Sequence, residues 1–266
     1  MDSKTVLITG ASAGIGRALA ETFAAHGHDL ILVARSVDKL RTLATDLTAR
    51  HGVRAIDIPL DLSVRRAVPE LMVAVRERGL EVEVLVNNAG VLEAGAFRHM
   101  DADALHRLVQ LNMNALTQLS SACLPAMVQR GWGRVLNVAS VAAFQPVPGL
   151  AAYAASKAYV LSLTEALNEE LRGSGVCITA LCPGLTDTDM VQQSSGINPD
   201  LPPVPSLLLA SVERVAREGY QACMRGETIR VPGWANRLGT FWSQLQPRWV
   251  VRTLGGLIGR QLLKER

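Results

Sequence analysis

Short, wholly apolar runs alternate along the chain with longer segments in which apolar residues recur every three or four positions. Thr5–Thr9 and Asp29–Ala34 are runs of the first kind, and the segment that begins at Arg17 is of the second kind. Continuous apolar runs are typical of strands buried on both faces of a parallel sheet, and the longer segments are typical of amphipathic helices. The pattern therefore predicts an α/β fold.

Seven runs are assigned to strands on this basis. They are Thr5–Thr9, Asp29–Ala34, Val53–Leu60, Val82–Val86, Arg134–Ser140, Val176–Cys182 and Glu227–Val231. The longest helical stretch extends from about Asp101 to Arg130, and another helix is expected over Ser206–Met224. Ser63, which follows the third strand, is a favourable N-cap for the next helix.

Length and composition fit one α/β domain with a C-terminal extension. The chain has 266 residues, of which 48% are hydrophobic, enough to build a sizeable core. We expect a catalytic domain over residues 1–232 and an apolar and basic helical extension over residues 233–266. Residues 192–205 are rich in polar residues, Gly and Pro, and we expect a substrate lid at about residues 188–205.

The positive charges are concentrated at the C-terminal end of the chain. The net charge is +3, but from Thr228 onwards seven Lys and Arg residues face one acidic residue, Glu265. The first 227 residues are therefore slightly acidic, which argues against a nucleic-acid-binding surface on the main body. If Val250–Leu263 is helical, it has an apolar face opposite a basic one. Packing on the domain or on a partner subunit is favoured for this face over contact with an anionic membrane.

The four cysteines indicate a reduced protein without a metal site. Cys123, Cys177, Cys182 and Cys223 show no C-x-x-C spacing, and no cluster with metal-ligand spacing is visible. The N-terminus shows no secretory signal, and no uninterrupted apolar stretch reaches 18 residues. A cytoplasmic protein is the expectation.

A glycine-rich turn joins the first strand to the first helix. Gly10, Gly14 and Gly16 lie in this turn with Ser12 and Ile15. Glycines let backbone N–H groups approach a pyrophosphate, and the helix N-terminus favours its negative charge. The spacing G-x-x-x-G-x-G differs from the dinucleotide fingerprint G-x-G-x-x-G, so a plain strand-to-helix turn stays an alternative at this point.

The second strand ends at a basic residue. Dinucleotide-binding domains that select NAD usually place a carboxylate there to hold the ribose hydroxyls, whereas Arg35 suits a 2′-phosphate. Ser36 and Lys39 lie within reach, at the start of the next helix. This pattern favours NADP(H) over NAD(H), unless Arg35 is only a solvated charge at a strand end.

Polar residues follow two further strands. Asp61 and Leu62 come after the third strand, although Asp61 could belong to the cap of the next helix. Asn87–Gly90 follows the fourth strand, where open α/β sheets bind ligands, but loop chemistry explains these residues equally well. Asn112 and Asn114 interrupt the long helical stretch. Because asparagine is unfavourable in a helix interior, one of them could hold a polar site open, although the residue pattern favours a solvated side chain.

Tyr153 and Lys157 are one helical turn apart in an Ala-rich segment. A lysine is costly to bury in such surroundings unless its charge is used, and a cation beside a phenol favours the phenolate. The pair is therefore interpreted as a tuned proton donor, the alternative being two exposed side chains on an amphipathic helix. Ser140, at the end of the fifth strand, can converge with Tyr153 on one carbonyl oxygen.

The order of these motifs resembles that of the short-chain dehydrogenase/reductase family over about Thr5–Val231. The matching segments are Thr9–Gly16, Asp61–Leu62, Asn87–Gly90, Asn112, Ser140, Tyr153–Lys157 and Pro183–Gly184 with Thr188. The resemblance implies a doubly wound, Rossmann-like parallel sheet of about seven strands with helices on both faces. It favours Asn112 over Asn114, since Asn112 stands thirteen residues before Pro125.

The resemblance also implies roles for individual residues. Tyr153 would be the acid/base, Lys157 would lower its pKa, Ser140 would orient the carbonyl, and Asn112 would sustain a water relay. The implied cofactor-binding residues are Gly10, Ser12, Gly14, Ile15, Gly16, Arg35, Ser36, Lys39, Asp61, Leu62, Asn88, Ala89, Gly90, Tyr153, Lys157, Pro183, Gly184, Thr186 and Thr188.

These roles imply an NADPH-dependent carbonyl reductase, reversible to alcohol oxidation. Its substrate would be a hydrophobic ketone or secondary alcohol of a fatty-acyl, steroid-like or similar kind, and a homodimer or homotetramer is expected. Two alternatives stay open: an NAD-linked alcohol dehydrogenase and a non-catalytic NADP(H)-binding regulator.

Overall fold

Strands and helices alternate from the N-terminus to the sixth strand. The computed structural model describes residues 3–184, 210–253 and 255. The described strands are β1 (Thr5–Thr9), β2 (Asp29–Ala34), β3 (Ala55–Pro59), β4 (Val84–Asn87), β5 (Gly133–Val138), β6 (Val176–Leu181) and β7 (Ile229–Arg230). The described α-helices are α1 (Gly14–Ala25), α2 (Val37–His51), α3 (Ala67–Glu77), α4 (Ala102–Val109), α5 (Leu116–Gln129), α6 (Ala151–Glu170), α7 (Val212–Arg225) and α8 (Trp234–Leu245).

The seven strands form one parallel sheet in the order β3-β2-β1-β4-β5-β6-β7. The chain builds the sheet outward from β1 to β3 on one side and from β4 to β7 on the other. The direction reverses between β1 and β4, and open α/β sheets bind ligands at the carboxyl ends of the strands beside such a switch point. The doubly wound, seven-stranded parallel sheet is thus confirmed.

Apolar side chains are buried on both faces of the sheet. On one face, α1, α2 and α7 contribute residues such as Phe23, Leu40 and Tyr220 to a single core cluster. On the other face, α3 and α5 contribute Leu71 and Leu119 to a second cluster. Burial on both faces explains the continuous apolar segments Val6–Ile8 of β1, Leu30–Ala34 of β2 and Val84–Val86 of β4.

The long helical stretch predicted over Asp101–Arg130 is present, but it is not uniform. Between α4 and α5 the chain forms a π-helical segment, Gln110–Ala115. A π-helical turn is wider than an α-helical turn by about one residue, and such turns are frequent at functional sites. Residues beyond the π-segment are therefore rotated relative to the face that a regular helix would present.

Ser63 does not cap a helix, so this prediction is wrong. Helix α3 begins only at Ala67, with Arg66 at its N-cap position. The backbone N–H and the hydroxyl of Ser63 both donate to Oδ1 of Asp61, at 2.9 and 2.8 Å. The Asp61 carboxylate thus organises its own turn, which postpones the helix by one turn.

The C-terminal region continues the fold with one short strand and further helix. Strand β7 lies within the predicted range, and Ser211 caps α7 by accepting a hydrogen bond from the N–H of Arg214 at 3.2 Å. After α8, residues 248–253 are also helical. The predicted lid at about residues 188–205 and most of the segment Val250–Leu263 lie outside the described residues. Within the described ranges, no helix is long and apolar enough to cross a membrane.

Candidate active site

The predicted site residues lie along the carboxyl edge of the sheet, beside the switch point between β1 and β4. Gly10, Ser12, Gly14, Ile15 and Gly16 follow β1; Arg35, Ser36 and Lys39 follow β2; Asp61 and Leu62 follow β3; Asn88, Ala89 and Gly90 follow β4; Ser140 follows β5; Pro183 and Gly184 follow β6. The parallel direction of the strands explains the assembly, since it brings segments that are distant in the sequence to one edge.

The glycine-rich turn packs so closely that side chains are excluded from two of its positions. Gly10 has a φ of +65°, which favours glycine. A Cβ atom on Gly16 would lie 2.2 Å from the carbonyl oxygen of Gly10 and 2.3 Å from Nδ2 of Asn88. The turn therefore keeps a bare backbone surface at the start of α1.

The N-terminus of α1 is suited to a pyrophosphate. Its N-cap residue, Ala13, offers no side-chain hydrogen bond, and its first turn has no acidic residue. The first N–H groups of a helix have no partner within the helix, and the helix dipole adds partial positive charge there. The cradle thus fits the diphosphate of a dinucleotide.

Asn88 shapes this turn through its side chain. Its Nδ2 donates to the carbonyl oxygens of Thr9 and Gly10, at 2.9 and 3.2 Å. The Thr9 hydroxyl in turn accepts from the N–H groups of Asn88 and Ala89, both at 3.0 Å, and donates to the carbonyl of Val86 at 3.2 Å. Thr9 belongs to the matching motif but had no predicted role of its own. In the structure it ties the end of β1 to the end of β4.

Arg35 is exposed at the end of β2 and acts electrostatically on Asp61. Burial by itself would raise the pKa of Asp61, but the hydrogen bonds from Ser63 and the charges of Arg35 and Arg107 lower the pKa on balance. Arg107, on α4, was not selected from the sequence and adds a second positive charge beside Asp61. Lys39 is exposed on the first turn of α2. Leu62 differs from these residues because it is 6% exposed and packs in the core beside α3.

Tyr153 and Ser140 come together although thirteen residues separate them. Ser140 begins a short 3₁₀ turn, Val141–Phe144, and its Oγ accepts from the N–H of Ala142 at 3.1 Å. The N–H of Val141 donates to the carbonyl of Pro183 at 3.0 Å, which ties the turn to the end of β6. Tyr153 lies in the first turn of α6 and shares a hydrogen bond between side chains with Ser140.

Burial raises the pKa of Tyr153, and the hydrogen bond with Ser140 only partly opposes this effect. The lowering of the Tyr153 pKa that the resemblance implied for Lys157 is therefore not seen in the protein alone. The Lys157 ammonium lies 5.7 Å from the centre of the Tyr153 ring. At neutral pH the phenol is thus fully protonated.

Lys157 is buried, with 6% of its surface exposed. Its Nζ donates to the carbonyl of Val138 at 2.7 Å. Burial lowers the pKa of Lys157 from 10.5 to about 8. Lys157 is thus a buried cation, which costs folding free energy unless its charge is used.

Asn112 is buried in the π-helical segment, with 2% of its surface exposed. Its Oδ1 accepts from the N–H of Val91 at 2.9 Å, and its Nδ2 donates to the carbonyl of Val91 at 2.9 Å and to Oγ of Ser156 at 3.2 Å. Asn114 is exposed, and its Nδ2 donates to Oε1 of Gln110 at 3.0 Å. The solvated side chain that the residue pattern favoured is therefore Asn114, not Asn112.

Gly90 lies next to the side chains of both Asn112 and Lys157. A Cβ atom on Gly90 would lie 3.2 Å from Oδ1 of Asn112 and 3.7 Å from Nζ of Lys157. Ser156, which the sequence analysis did not select for a role, links the two sides. It accepts from Asn112 and donates to the backbone carbonyl of Tyr153 at 2.7 Å. Four predicted catalytic residues thus form one connected group, whereas Thr186 and Thr188 lie outside the described residues.

The comparisons agree with this geometry. The profile of the short chain dehydrogenase family matches residues 4–197. A short chain dehydrogenase from Pseudocercospora fijiensis is 35% identical over 200 residues, which cover 74% of this chain and 64% of that protein. The inactive hydroxysteroid dehydrogenase-like protein 1 of Pongo abelii is 30% identical over 263 residues, which cover 97% of this chain and 77% of the relative. The chain belongs to the short-chain dehydrogenase/reductase family and is an oxidoreductase of that type.

Two solved structures are similar over nearly the whole chain. A short-chain dehydrogenase from Sphingobium yanoikuyae in complex with NADPH has a TM-score of 0.80 and 34% identity, and the match covers 99% of this chain and 96% of that one. The bulky-bulky ketone specific alcohol dehydrogenase from Comamonas testosteroni has a TM-score of 0.77 and 31% identity, covering 100% and 96%. This chain is therefore an NAD(P)-dependent oxidoreductase acting on CH–OH or C=O groups.

Proposed function

We propose that this chain is an NADPH-dependent carbonyl reductase that converts a hydrophobic ketone to a secondary alcohol and also catalyses the reverse oxidation. The observation that carries the proposal is the convergence of Ser140, Tyr153, Lys157 and Asn112 beside the glycine-rich cradle. A binding protein would need the cradle but not this group.

The proposed division of labour follows from the chemistry of each group. When bound, the reduced nicotinamide supplies the hydride. Tyr153 donates its phenolic proton to the alkoxide oxygen as negative charge develops there, and Ser140 hydrogen-bonds the same oxygen. Lys157 lies under the Tyr153 ring and stabilises the phenolate left after the transfer. Asn112 holds the loop at Val91 against α6 and so fixes the floor of the site.

The charge at the end of β2 supports NADP(H) over NAD(H). Arg35 is the exposed residue that follows β2, where an acidic residue would otherwise hold the ribose hydroxyls. A guanidinium can pair with a 2′-phosphate through two hydrogen bonds. Replacing Arg35 by Asp should weaken NADPH binding and improve NADH binding, which titration by quenching of intrinsic fluorescence would measure for both cofactors. An unchanged ratio of the two dissociation constants would favour the NAD-linked alternative.

A bulky, hydrophobic substrate is the class we propose. One structural neighbour is described as specific for bulky-bulky ketones. In this chain, the turn that carries Ser140 ends at Phe144. Phe97 is 60% exposed and lies two residues after Gly95, whose N–H donates to the carbonyl of Gly149 before α6. A screen of purified enzyme with NADPH against steroid, fatty-acyl and simple ketones would define the class, and turnover of small polar aldehydes alone would contradict it.

Replacement of Tyr153 by Phe tests whether the chain is a catalyst. The substitution removes one oxygen atom, so NADPH binding should persist while turnover falls by roughly 10²- to 10⁴-fold, the range expected for loss of a general acid. Substitution of Tyr159 by Phe is a matched control, because that hydroxyl contacts Thr117 at 2.9 Å. A wild-type protein that binds NADPH but reduces no carbonyl would instead support a non-catalytic regulator, the class suggested by the inactive relative.

A homodimer formed through α5 and α6 is also part of this proposal. The outer faces of these helices form an open groove of about 460 Å³. Its lining is mainly apolar and consists of Thr117, Ser120, Ser121, Leu124, Pro125, Val128, Leu163 and Leu167. Light scattering of Val128→Glu and of the wild type would test it, since a charge in a buried interface should yield monomers.

We place the reaction in the cytoplasm. All four cysteines are free, and burial raises the pKa of Cys123, Cys182 and Cys223 to about 12 each. Free thiols are typical of a reducing compartment. Fractionation of cells that express the chain would test this placement.

A further inference from the structure

The apolar face of helix α8 points away from the part of the chain that the structure describes. Trp234, Leu238, Phe241 and Leu245 are spaced four, three and four residues apart, so they share one side of the helix. Their exposed fractions are 75%, 59%, 62% and 65%, and Trp242 beside them is 48% exposed. We call these five residues the α8 face.

The opposite side of α8, which is small and polar, packs against the domain. Ser243 is 8% exposed, and its hydroxyl donates to the carbonyl of Thr240 at 2.8 Å. Asn236 donates to the carbonyl of Pro232 at 3.0 Å and packs against Gly184 so closely that a Cβ there would lie 2.4 Å from its amide nitrogen. A helix at a protein surface normally buries its apolar stripe, so α8 has the reverse orientation.

Positive charge surrounds the α8 face. Arg237 on α8 is exposed, and so are Arg248 and Arg252 in the helical residues that follow. Among the described residues, none of these arginines has a carboxylate within ion-pair distance, whereas Arg230 pairs with Glu218 and Glu227. The sequence contains no acidic residue between Glu227 and Glu265. Trp249, next to Arg248, extends the apolar surface and is 65% exposed.

We propose that the α8 face docks on the surface of an anionic lipid bilayer. Tryptophan and phenylalanine partition into the headgroup region, where their rings contact the acyl chains, and arginines beside them pair with lipid phosphates. A second copy of the chain is a poorer occupant, because a two-fold contact through this face would bring the same arginines together. The helix is about 18 Å long, so it would lie in the plane of the interface.

Docking would place the catalytic edge of the sheet close to the lipid. Asn236 joins α8 to Gly184, the residue that ends the described part of the segment after β6. The α8 face is thus on the side of the molecule at which β6 leads into the site. The inference itself does not depend on the proposed reaction, since it concerns binding in the absence of cofactor and substrate.

Vesicle sedimentation tests the proposal on the full-length protein. One set of vesicles is phosphatidylcholine, and the other is an equimolar mixture with phosphatidylglycerol. We expect binding to the anionic vesicles to be at least about tenfold tighter than to phosphatidylcholine, to weaken with salt and to shift tryptophan emission to shorter wavelength. Absence of binding, or equal binding to both vesicles, would overturn the proposal.

Paired variants separate the α8 face from general surface effects. Phe241→Glu and Arg237→Gln should each lower binding to anionic vesicles several-fold. The matched controls on α3, Val73→Glu and Arg76→Gln, should leave it unchanged, since Val73 is an exposed apolar residue (43%) outside the face. Because Phe241 is exposed, its variant should keep the wild-type melting temperature. If Phe241→Glu lowers the melting temperature, Arg237→Gln still tests the α8 face.

Light scattering identifies the competing occupant. If Phe241→Glu lowers the mass of an oligomer, and the wild type does not bind anionic vesicles, the α8 face is a contact between copies and the membrane proposal fails. If the mass is unchanged and vesicle binding is lost, the proposal stands. Equal losses in the Val73 and Phe241 variants would also refute it.

Discussion

Replacing Lys157 by Met is expected to stabilise the cofactor-free protein while abolishing turnover. The ammonium of Lys157 is almost fully buried, and burial lowers its pKa from 10.5 to about 8. In the unfolded chain the same group is surrounded by water. Keeping it charged at pH 7 therefore costs folding free energy, which methionine, of similar length and uncharged, does not incur.

The magnitude follows from the difference between 10.5 and about 8. A difference of about 2.5 pKa units corresponds to roughly 3 kcal/mol of unfolding free energy. The variant also loses the hydrogen bond from Nζ to the carbonyl of Val138, which contributes about 1 kcal/mol. A net gain of about 2 kcal/mol remains, which should raise the melting temperature by roughly 4 to 8 °C.

The pH dependence provides a second signature. Between pH 8 and pH 10.5, Lys157 has lost its proton in the folded protein but keeps it in the unfolded chain. The unfolded state then binds more protons, so the stability of the wild type rises with pH in this window. The advantage of the Lys157→Met variant should be constant well below pH 8, shrink as the pH rises above 8 and reverse before pH 10.5, because only the lost hydrogen bond to Val138 then separates the two proteins.

Urea titrations of both proteins at several pH values measure this difference directly, and other titrating groups cancel in the subtraction. Lys39→Met is the matched control, since Lys39 is exposed and its replacement should change stability by less than about 0.5 kcal/mol. If Lys157→Met is less stable than the wild type at pH 7, or if the difference is independent of pH, the burial argument is refuted.

Two other predictions concern the framework of the site. Gly16→Ala should destabilise the protein by about 1 to 3 kcal/mol and weaken NADPH binding, because the new methyl group would lie 2.2 Å from the carbonyl oxygen of Gly10. The control is Gly239→Ala, which has open space around it and should be neutral or stabilising in thermal melts. Asn112→Ala should cost about 2 to 3 kcal/mol and most of the activity, since it removes three hydrogen bonds, whereas Asn114→Ala should change urea unfolding and turnover little.

The sheet and the glycine-rich cradle could be predicted because their signals are local. A strand buried on both faces is a continuous apolar run, and β1 and β2 lie where such runs occur. The turn after β1 depends on the glycines themselves. Gly10 has a positive φ, and a side chain at Gly16 would clash with the carbonyl oxygen of Gly10. In both cases the chemistry of the segment is sufficient, without knowledge of its neighbours.

Asn112 shows what local reasoning could not provide. Its burial depends on Val91 and Ser156, which are distant in the sequence and meet it only in the folded chain. The π-helical segment adds a further difficulty, because one additional residue per turn rotates Asn112 towards α6 and leaves Asn114 in solvent. Only the resemblance to a family selected Asn112, the asparagine that the structure buries.

The prediction that Ser63 caps a helix directly after β3 failed for a related reason. Serine is among the best N-cap residues, and this preference alone predicted a helix directly after Ser63. Asp61 instead accepts from both the N–H and the hydroxyl of Ser63 itself, so the Ser63 side chain is engaged in the turn before α3 begins. Asp61 and Ser63 each favour a turn, and the sequence does not show which of the two organises the backbone here.

The protonation states of the apoprotein match the reductive direction of the proposed reaction. Burial raises the pKa of Tyr153, so at neutral pH the phenol carries the proton that a carbonyl oxygen must receive. The same burial brings the pKa of Lys157 to about 8, close enough to neutrality for its charge to respond to a new charge nearby. Oxidation of an alcohol instead needs the phenolate, which the protein alone disfavours. We therefore expect the pH optimum for oxidation to lie well above that for reduction. The measurement is a pH–rate profile in each direction with one ketone–alcohol pair, and coinciding optima would contradict the expectation.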